Sequence, residues 1–150
     1  MLSSIIAVIG TLAGAALSYL LQHRAARAER AEARAETRRS EQLAAVTALV
    51  SALADHRRAM WVREDLALNG PSDAYTAARA ASHETRSALT APLLTVTLLI
   101  PALAATAQAA AQATYDMRRA ETARALADQR DAALVAADRL VTEAATALAA

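Results

Sequence analysis

A chain of 150 residues has room for one domain with a modest core, or for one anchor and a smaller domain. Its 16 basic residues, all Arg, stand against 15 acids; a net charge of +1 and a shortage of aromatic rings exclude a global basic field or a stacking platform for nucleic acid. Without Cys there is no disulfide framework, thiol nucleophile or thiolate metal site, and an Ala- and Arg-rich chain with three Gly and three Pro predicts an all-α protein.

The first 22 residues carry no charge, and IIAVIGTLAGAALSYLL, from Ile5 to Leu21, is their most apolar part. As a helix the shorter run spans roughly 25 Å and the longer roughly 33 Å, bracketing the ~30 Å hydrocarbon core of a bilayer. A cleaved signal would carry basic residues before the run and a small-residue site after it; here MLSS precedes and QHRAAR follows. The stretch therefore predicts a transmembrane anchor over 1–22. Arg24, Arg27 and Arg30 follow it directly, so the positive-inside bias places the amino terminus outside and the remaining chain in the cytoplasm. Gly10 and Gly14 have the G-x-x-x-G spacing and share a small-residue face with Ser18. Self-association in the membrane and the mere abundance of small residues explain that face equally.

Residues 23–42 read as a charged helical connector. At helical spacing Arg24, Arg27, Arg30, Arg34 and Arg38 fall on one side and Glu29, Glu32 and Glu36 on the other, with Ala between. A solvated rigid spacer is the plainest reading; the Arg row can also lie against anionic headgroups or pair with the Glu row of another helix. The Glu row continues the glycine face, so parallel association through Gly10 and Gly14 brings Glu rows together unless the helices diverge.

Residues 43–150 predict an up-and-down four-helix bundle whose first helix continues from the anchor. Leu43, Val46, Val50, Leu53, Met60, Trp61 and Leu68 form the first stripe, and LNGPSD ends it, with Ser72 placed to cap the next helix. Tyr75, Ala78, Leu89, Leu93, Val96 and Ile100 form the second stripe, with Pro92 a bend or a restart. Pro101 opens a third, Ala-rich helix reaching about Arg119, and a weak turn at 120–122 precedes a fourth with Leu126, Ala133, Leu134, Ala137, Leu140, Val141, Ala144 and Leu148. The uncharged stretch Ser87–Tyr115 is long enough for a second membrane hairpin; its Thr and Pro content favours the bundle core.

No cofactor, metal or catalytic motif is read from the chain. Asp55–His56 and His83–Glu84 are adjacent pairs whose side chains diverge by about 100° on a helix, so neither chelates alone. Arg57 and Arg130 interrupt the first and fourth stripes near the level of Ser82, Thr85 and Arg86, which implies a polar core layer of Arg57, Glu64, Ser82, Arg86 and Arg130. Glu64 is the in-stripe partner expected for the buried guanidinium groups, with Asp131 and Glu84 more peripheral, and stacking of Arg57 on Trp61 is a further expectation. The layer is either an internal salt-bridge layer with snorkelling Arg stems or a binding site for an anion.

The segments SSIIAVIGTLAGAALSYLLQ, LAAVTALVSALADHRRAMW and APLLTVTLLIPALA resemble small actinomycete proteins of the KilB type, associated with plasmid transfer and spread. The resemblance implies a membrane-associated accessory of plasmid conjugation, working beside a DNA translocase; the residues themselves predict a non-enzymatic protein that works by contact with other membrane or transfer proteins, without direct nucleic-acid binding. The resemblance carries over no functional residues. A coiled stalk or scaffold unrelated to plasmids, similar in outline to the b-subunit stalk of rotary ATP synthases, and a soluble or peripheral bundle that binds an anion are the alternatives.

Overall fold

The structure, a computed structural model, describes the backbone of residues 2–149 and the side chains of residues 22–24 and 26–149. All of its regular elements are helical: α1 (Leu2–Asn69), α2 (Ser72–Leu99), α3 (Ala104–Tyr115) and α4 (Ala123–Ala149), with a short 3-10 turn over Pro101–Leu103. The chain divides into two compact units, Met1–Ser40 and Glu41–Ala150. Most side chains of the expected anchor lie outside the described residues, as do Gly10, Gly14 and Ser18. Among the described residues no helix is long and apolar enough to cross a membrane.

In the first unit the side chains from Arg27 to Ser40 are all exposed. Between Arg24 and Arg39 the i,i+3 and i,i+4 neighbours are six like-charge pairs, such as Arg30–Arg34 and Glu32–Glu36, against one opposite pair, Glu36–Arg39. Each like pair costs about 0.2–0.5 kcal/mol on an isolated helix. High Ala content, not ion pairing along its own surface, therefore sustains this part of α1.

The second unit is a four-helix bundle with antiparallel neighbours. Gln42 Nε2 donates to the Leu99 carbonyl at 3.1 Å, and His56 Nδ1 meets Thr85 Oγ1 at 2.9 Å, so α1 and α2 run in opposite directions. Thr106 on α3 donates to Glu143 on α4, and the Arg130 guanidinium of α4 lies over the Trp61 ring of α1. Two apolar clusters fill the interior. The larger joins Leu49, Leu53, Leu89, Val96, Leu103 and Leu140 through Ala107, Ala110, Ala111 and Ala144, whose small side chains let helices approach closely. The smaller joins Met60, Met117, Ala120, Leu126 and Ala133. Buried His56 lies on α1 one turn from Leu53 and one turn from Met60, between the two clusters.

Several local expectations change. Leu43 is 57% exposed, and Val141 also faces out. Ser72 is the first residue of α2 and makes no cap; the cap position belongs to Pro71, whose carbonyl accepts the Tyr75 N–H. At Gly70 an added Cβ would meet Leu66 Cδ2, a side-chain end that can move, and would lie 3.0 Å from the Leu66 backbone, so the reversal is close-packed against the last turn of α1. α2 continues through Pro92 to Leu99 without restarting, and Pro101 opens the 3-10 turn as its fixed φ allows. Ser87–Tyr115 contributes Leu89, Val96, Ile100 and Leu103 to the bundle core, the favoured of its two readings.

The third helix ends earlier than expected. α3 stops at Tyr115, and the chain turns through residues 116–122 with Met117 and Ala120 buried. Arg119 is left-handed, at φ 66°, where a Cβ costs roughly 1–2 kcal/mol. Thr122 Oγ1 then accepts the Ala125 N–H at 3.1 Å, an N-terminal cap for α4. Arg119→Gly relieves the Cβ conflict but loosens the unfolded chain, so it raises stability by no more than about 1 kcal/mol in denaturant unfolding. A loss above that size would show that the Arg119 side chain stabilises the turn.

Candidate functional site

The polar groups of the bundle gather in two places. The first surrounds His56, which is 1% exposed. Leu53 and Met60 are three residues before and four after it, so helical spacing turns His56 inward with them. Thr85 Oγ1 lies 3.1 Å from the Ala81 carbonyl and 3.2 Å from that of Ser82, and its single proton goes to that backbone. His56 Nδ1 must then be the donor to Thr85, which leaves a lone pair on Nε2. Nε2 has no hydrogen-bond partner among the described residues. A cavity of about 30 Å³, water-sized, lies between His56, Arg63, Ser82, Arg86 and Tyr115. Burial, then the positive charges of Arg86 and Arg63, push the His56 pKa down to about 4, so the imidazole is neutral near pH 7.

Tyr115 of α3 closes this layer. Its ring meets His56 edge-on at 5.6 Å, and the Arg86 guanidinium covers its face at 4.0 Å. Buried Glu64 joins the layer to the turn after α3: Oε1 faces Arg63 Nε at 3.3 Å, and Oε2 accepts the Arg119 N–H at 2.9 Å. Arg63 also reaches Ser82 Oγ at 3.4 Å.

The second place is a pocket of about 170 Å³ between α1 and α4, lined by Ala54, Arg57, Arg58, Trp61 and Arg130. The Arg130 guanidinium sits 5.0 Å from the Trp61 ring centre, in the role expected of Arg57. Burial and then the Arg130 charge hold the Arg57 pKa below its ordinary value, with Asp138 opposing. Three guanidinium groups and an indole with no acid lining the pocket suit an anion.

The five residues expected to form one polar layer are thus divided. Glu64 and Ser82 share the His56 side through Arg63, and Arg86 is exposed there over Tyr115; Arg57 and Arg130 line the other pocket. Glu64 pairs with Arg63 instead of Arg57, because seven residues of helix rise separate Arg57 from Glu64 by roughly 10 Å. Thr85 lies in this layer, as its level in the helix predicts, and His56, Arg63 and Tyr115 are further members. Their sequence signal is His56 at i+3 from Leu53, the same periodicity that found the apolar stripe. Since among the described residues no carboxylate forms an ion pair with Arg57, and Asp138 acts on it only at longer range, Arg57→Leu keeps the unfolding free energy within about 1 kcal/mol of the parent by chemical denaturation. A larger loss would give Arg57 a structural partner.

The Arg row of the connector, Arg24, Arg27, Arg30, Arg34 and Arg38, is exposed. On the bundle, Leu43, Val46, Val50, Val141 and Leu148 line an apolar groove of about 310 Å³ between α1 and α4. No group of three or more His, Asp or Glu side chains among the described residues is arranged to hold a metal ion.

The KilB plasmid transfer protein family matches residues 43–148, the whole bundle. Protein KilB of Streptomyces lividans is 58% identical over 146 residues, covering 97% of this chain and 97% of that protein. No solved structure matches. The match to the bundle, and the identity that extends through the connector and the uncharged amino-terminal stretch, show that the chain belongs to the KilB plasmid transfer protein family.

Proposed function

We propose that the chain is a non-enzymatic accessory of plasmid transfer, held by a single amino-terminal membrane span with its bundle in the cytoplasm, and that it acts by contact with other membrane or transfer proteins. The observation that carries this reading is the 58% identity to Protein KilB over 97% of both chains. The uncharged run ahead of Arg24, Arg27 and Arg30 supports the span and its orientation. Exposed Leu94, Leu98 and Val135, together with the groove beside Leu43, supply apolar surface for protein contact.

The test compares the full chain with one lacking residues 1–22 in a plasmid-bearing host. The full chain is expected to sediment with membranes and resist alkaline carbonate, and the truncated chain to be soluble and to fail in plasmid spread. Recovery of the full chain in the soluble fraction without detergent would reject the span. Undiminished plasmid spread by the truncated chain would reject its role in transfer.

The pocket of three guanidinium groups beside Trp61 favours a second reading, a bundle that binds an anion. On that reading inorganic phosphate raises the unfolding temperature of the parent and not of Arg57→Leu. Equal response of both proteins would exclude this pocket.

A further inference from the structure

We propose that the charged connector, residues 23–40 of α1, pairs in parallel and in register with the same segment of a second copy of this chain, the Arg row of each facing the Glu row of the other. The two rows lie on nearly opposite sides of the helix, with Arg24, Arg27, Arg30, Arg34 and Arg38 on one and Glu29, Glu32 and Glu36 on the other, Arg39 at the end of the segment being the one arginine on the glutamate side. Two alanine seams separate them: Ala28 with Ala35, and Ala26 with Ala33, each at heptad spacing.

Charge complementarity selects both the occupant and its direction. When two copies meet along either seam, parallel alignment sets the flank on one side of the seam against the opposite flank of the partner. Arg then meets Glu on both sides of the contact. Antiparallel alignment sets each flank against its own kind, Arg against Arg and Glu against Glu. An anionic lipid surface engages the Arg row alone and leaves the Glu row unmatched. Alone, each exposed row keeps its like-charge neighbours along the helix; a parallel second copy places opposite charge beside both. Contact through an alanine seam also keeps the Glu faces apart, which contact through the glutamate face would not.

The pairing does not depend on the membrane span, and its test reads the full chain in whole cells, whatever fraction holds it. The protein has no cysteine, so a single introduced thiol reports only on its own position. Ala28→Cys and Ala33→Cys each mark one seam. Mild oxidation is expected to link two copies through one of these positions and not the other. In the linking background, the triple variant Arg27→Glu, Arg30→Glu, Arg34→Glu is expected to lower the linked fraction roughly tenfold or more, and so is Glu29→Arg, Glu32→Arg, Glu36→Arg. Co-expression of the two triple variants restores linkage between them, an outcome that misfolded helices cannot give. Linkage at neither position, equal linkage at both, or no rescue on co-expression would overturn the proposal. So would undiminished linkage in both triple variants, and if the arginine variant then lost binding to vesicles of anionic phospholipid, the Arg row would be assigned to lipid.

Discussion

Glu64→Leu lowers the unfolding free energy of the protein by about 3–5 kcal/mol, the range for removing one partner of a buried ion pair. The carboxylate is 4% exposed and serves two elements at once: Arg63 on its own helix and the backbone of the turn after α3. Leucine leaves the Arg63 guanidinium, whose side chain is only 13% exposed, without its counter-charge. It also orphans the Arg119 N–H at a residue already in the left-handed region. With bundles of this size stable by about 5–15 kcal/mol, such a loss removes a large share of the total. Glu64→Gln keeps an acceptor for the Arg119 N–H and is expected to lose less. The double variant Arg63→Leu, Glu64→Leu is expected to be more stable than Glu64→Leu alone, because no guanidinium is then left buried without its partner. Urea unfolding of the parent, Glu64→Leu, Arg63→Leu and the double variant measures the cycle. A Glu64→Leu variant within about 1 kcal/mol of the parent would refute the structural role of this carboxylate.

The partners of Glu64 are set by tertiary structure, which local periodicity does not carry. Its burial was legible, since Glu64 follows Met60 at i+4 on the inward stripe. Its neighbours were not, because they come from the turn after α3, and that turn has no Gly or Pro to announce it. Arg119 occupies the left-handed position where Gly would have been the signal, so α3 was extended to it and ends instead at Tyr115. The chain reversal at Asn69, Gly70 and Pro71 carries those signals, and there α1 and α2 end and begin within a residue of expectation.

Leu43 illustrates a second limit. Its spacing is right for the stripe, but Gln42 beside it hydrogen-bonds the Leu99 carbonyl, and Ala45 and Val46 take the buried positions at this end of the bundle. Helical periodicity finds the inward face of the middle of a helix more reliably than at its margins, where a single turn decides. The polar layer was legible as a feature, from charged residues among apolar ones. Its division into two places was not, because Arg stems reach far enough to leave the stripe on either side. His56 is hidden for the opposite reason: it is a single polar residue that keeps the period of the apolar stripe. Asp55 and His56 diverge by about 100° on the helix and form no chelating pair, and what remains is a lone inward imidazole.

What it does is make the bundle acid-sensitive. The His56 pKa falls from 6.5 in the unfolded chain to about 4 in the bundle, so the unfolded chain binds the proton more tightly. The stability from keeping this imidazole neutral is fully present above pH 6.5 and is lost as pH falls through that value toward 4. The loss is roughly 2 kcal/mol by pH 5 and roughly 3 kcal/mol once the folded-state pKa is passed. Protonation is disfavoured in the folded state first by burial and then by Arg86 and Arg63: with Nδ1–H held by Thr85, a proton on Nε2 would face those two guanidinium groups across a water-sized cavity. Glu143, held below the usual carboxylate range first by the Thr106 hydroxyl and then by Arg139, titrates beneath the window from pH 7.5 to 5. Urea unfolding across that window is therefore expected to show the parent losing stability, His56→Leu holding a nearly flat profile, and His83→Gln following the parent. A flat parent, or an equally steep His56→Leu, would place the acid sensitivity elsewhere. The slope, not the absolute stability, is the discriminating quantity, since leucine also changes packing against Tyr115 and the two apolar clusters that His56 now separates.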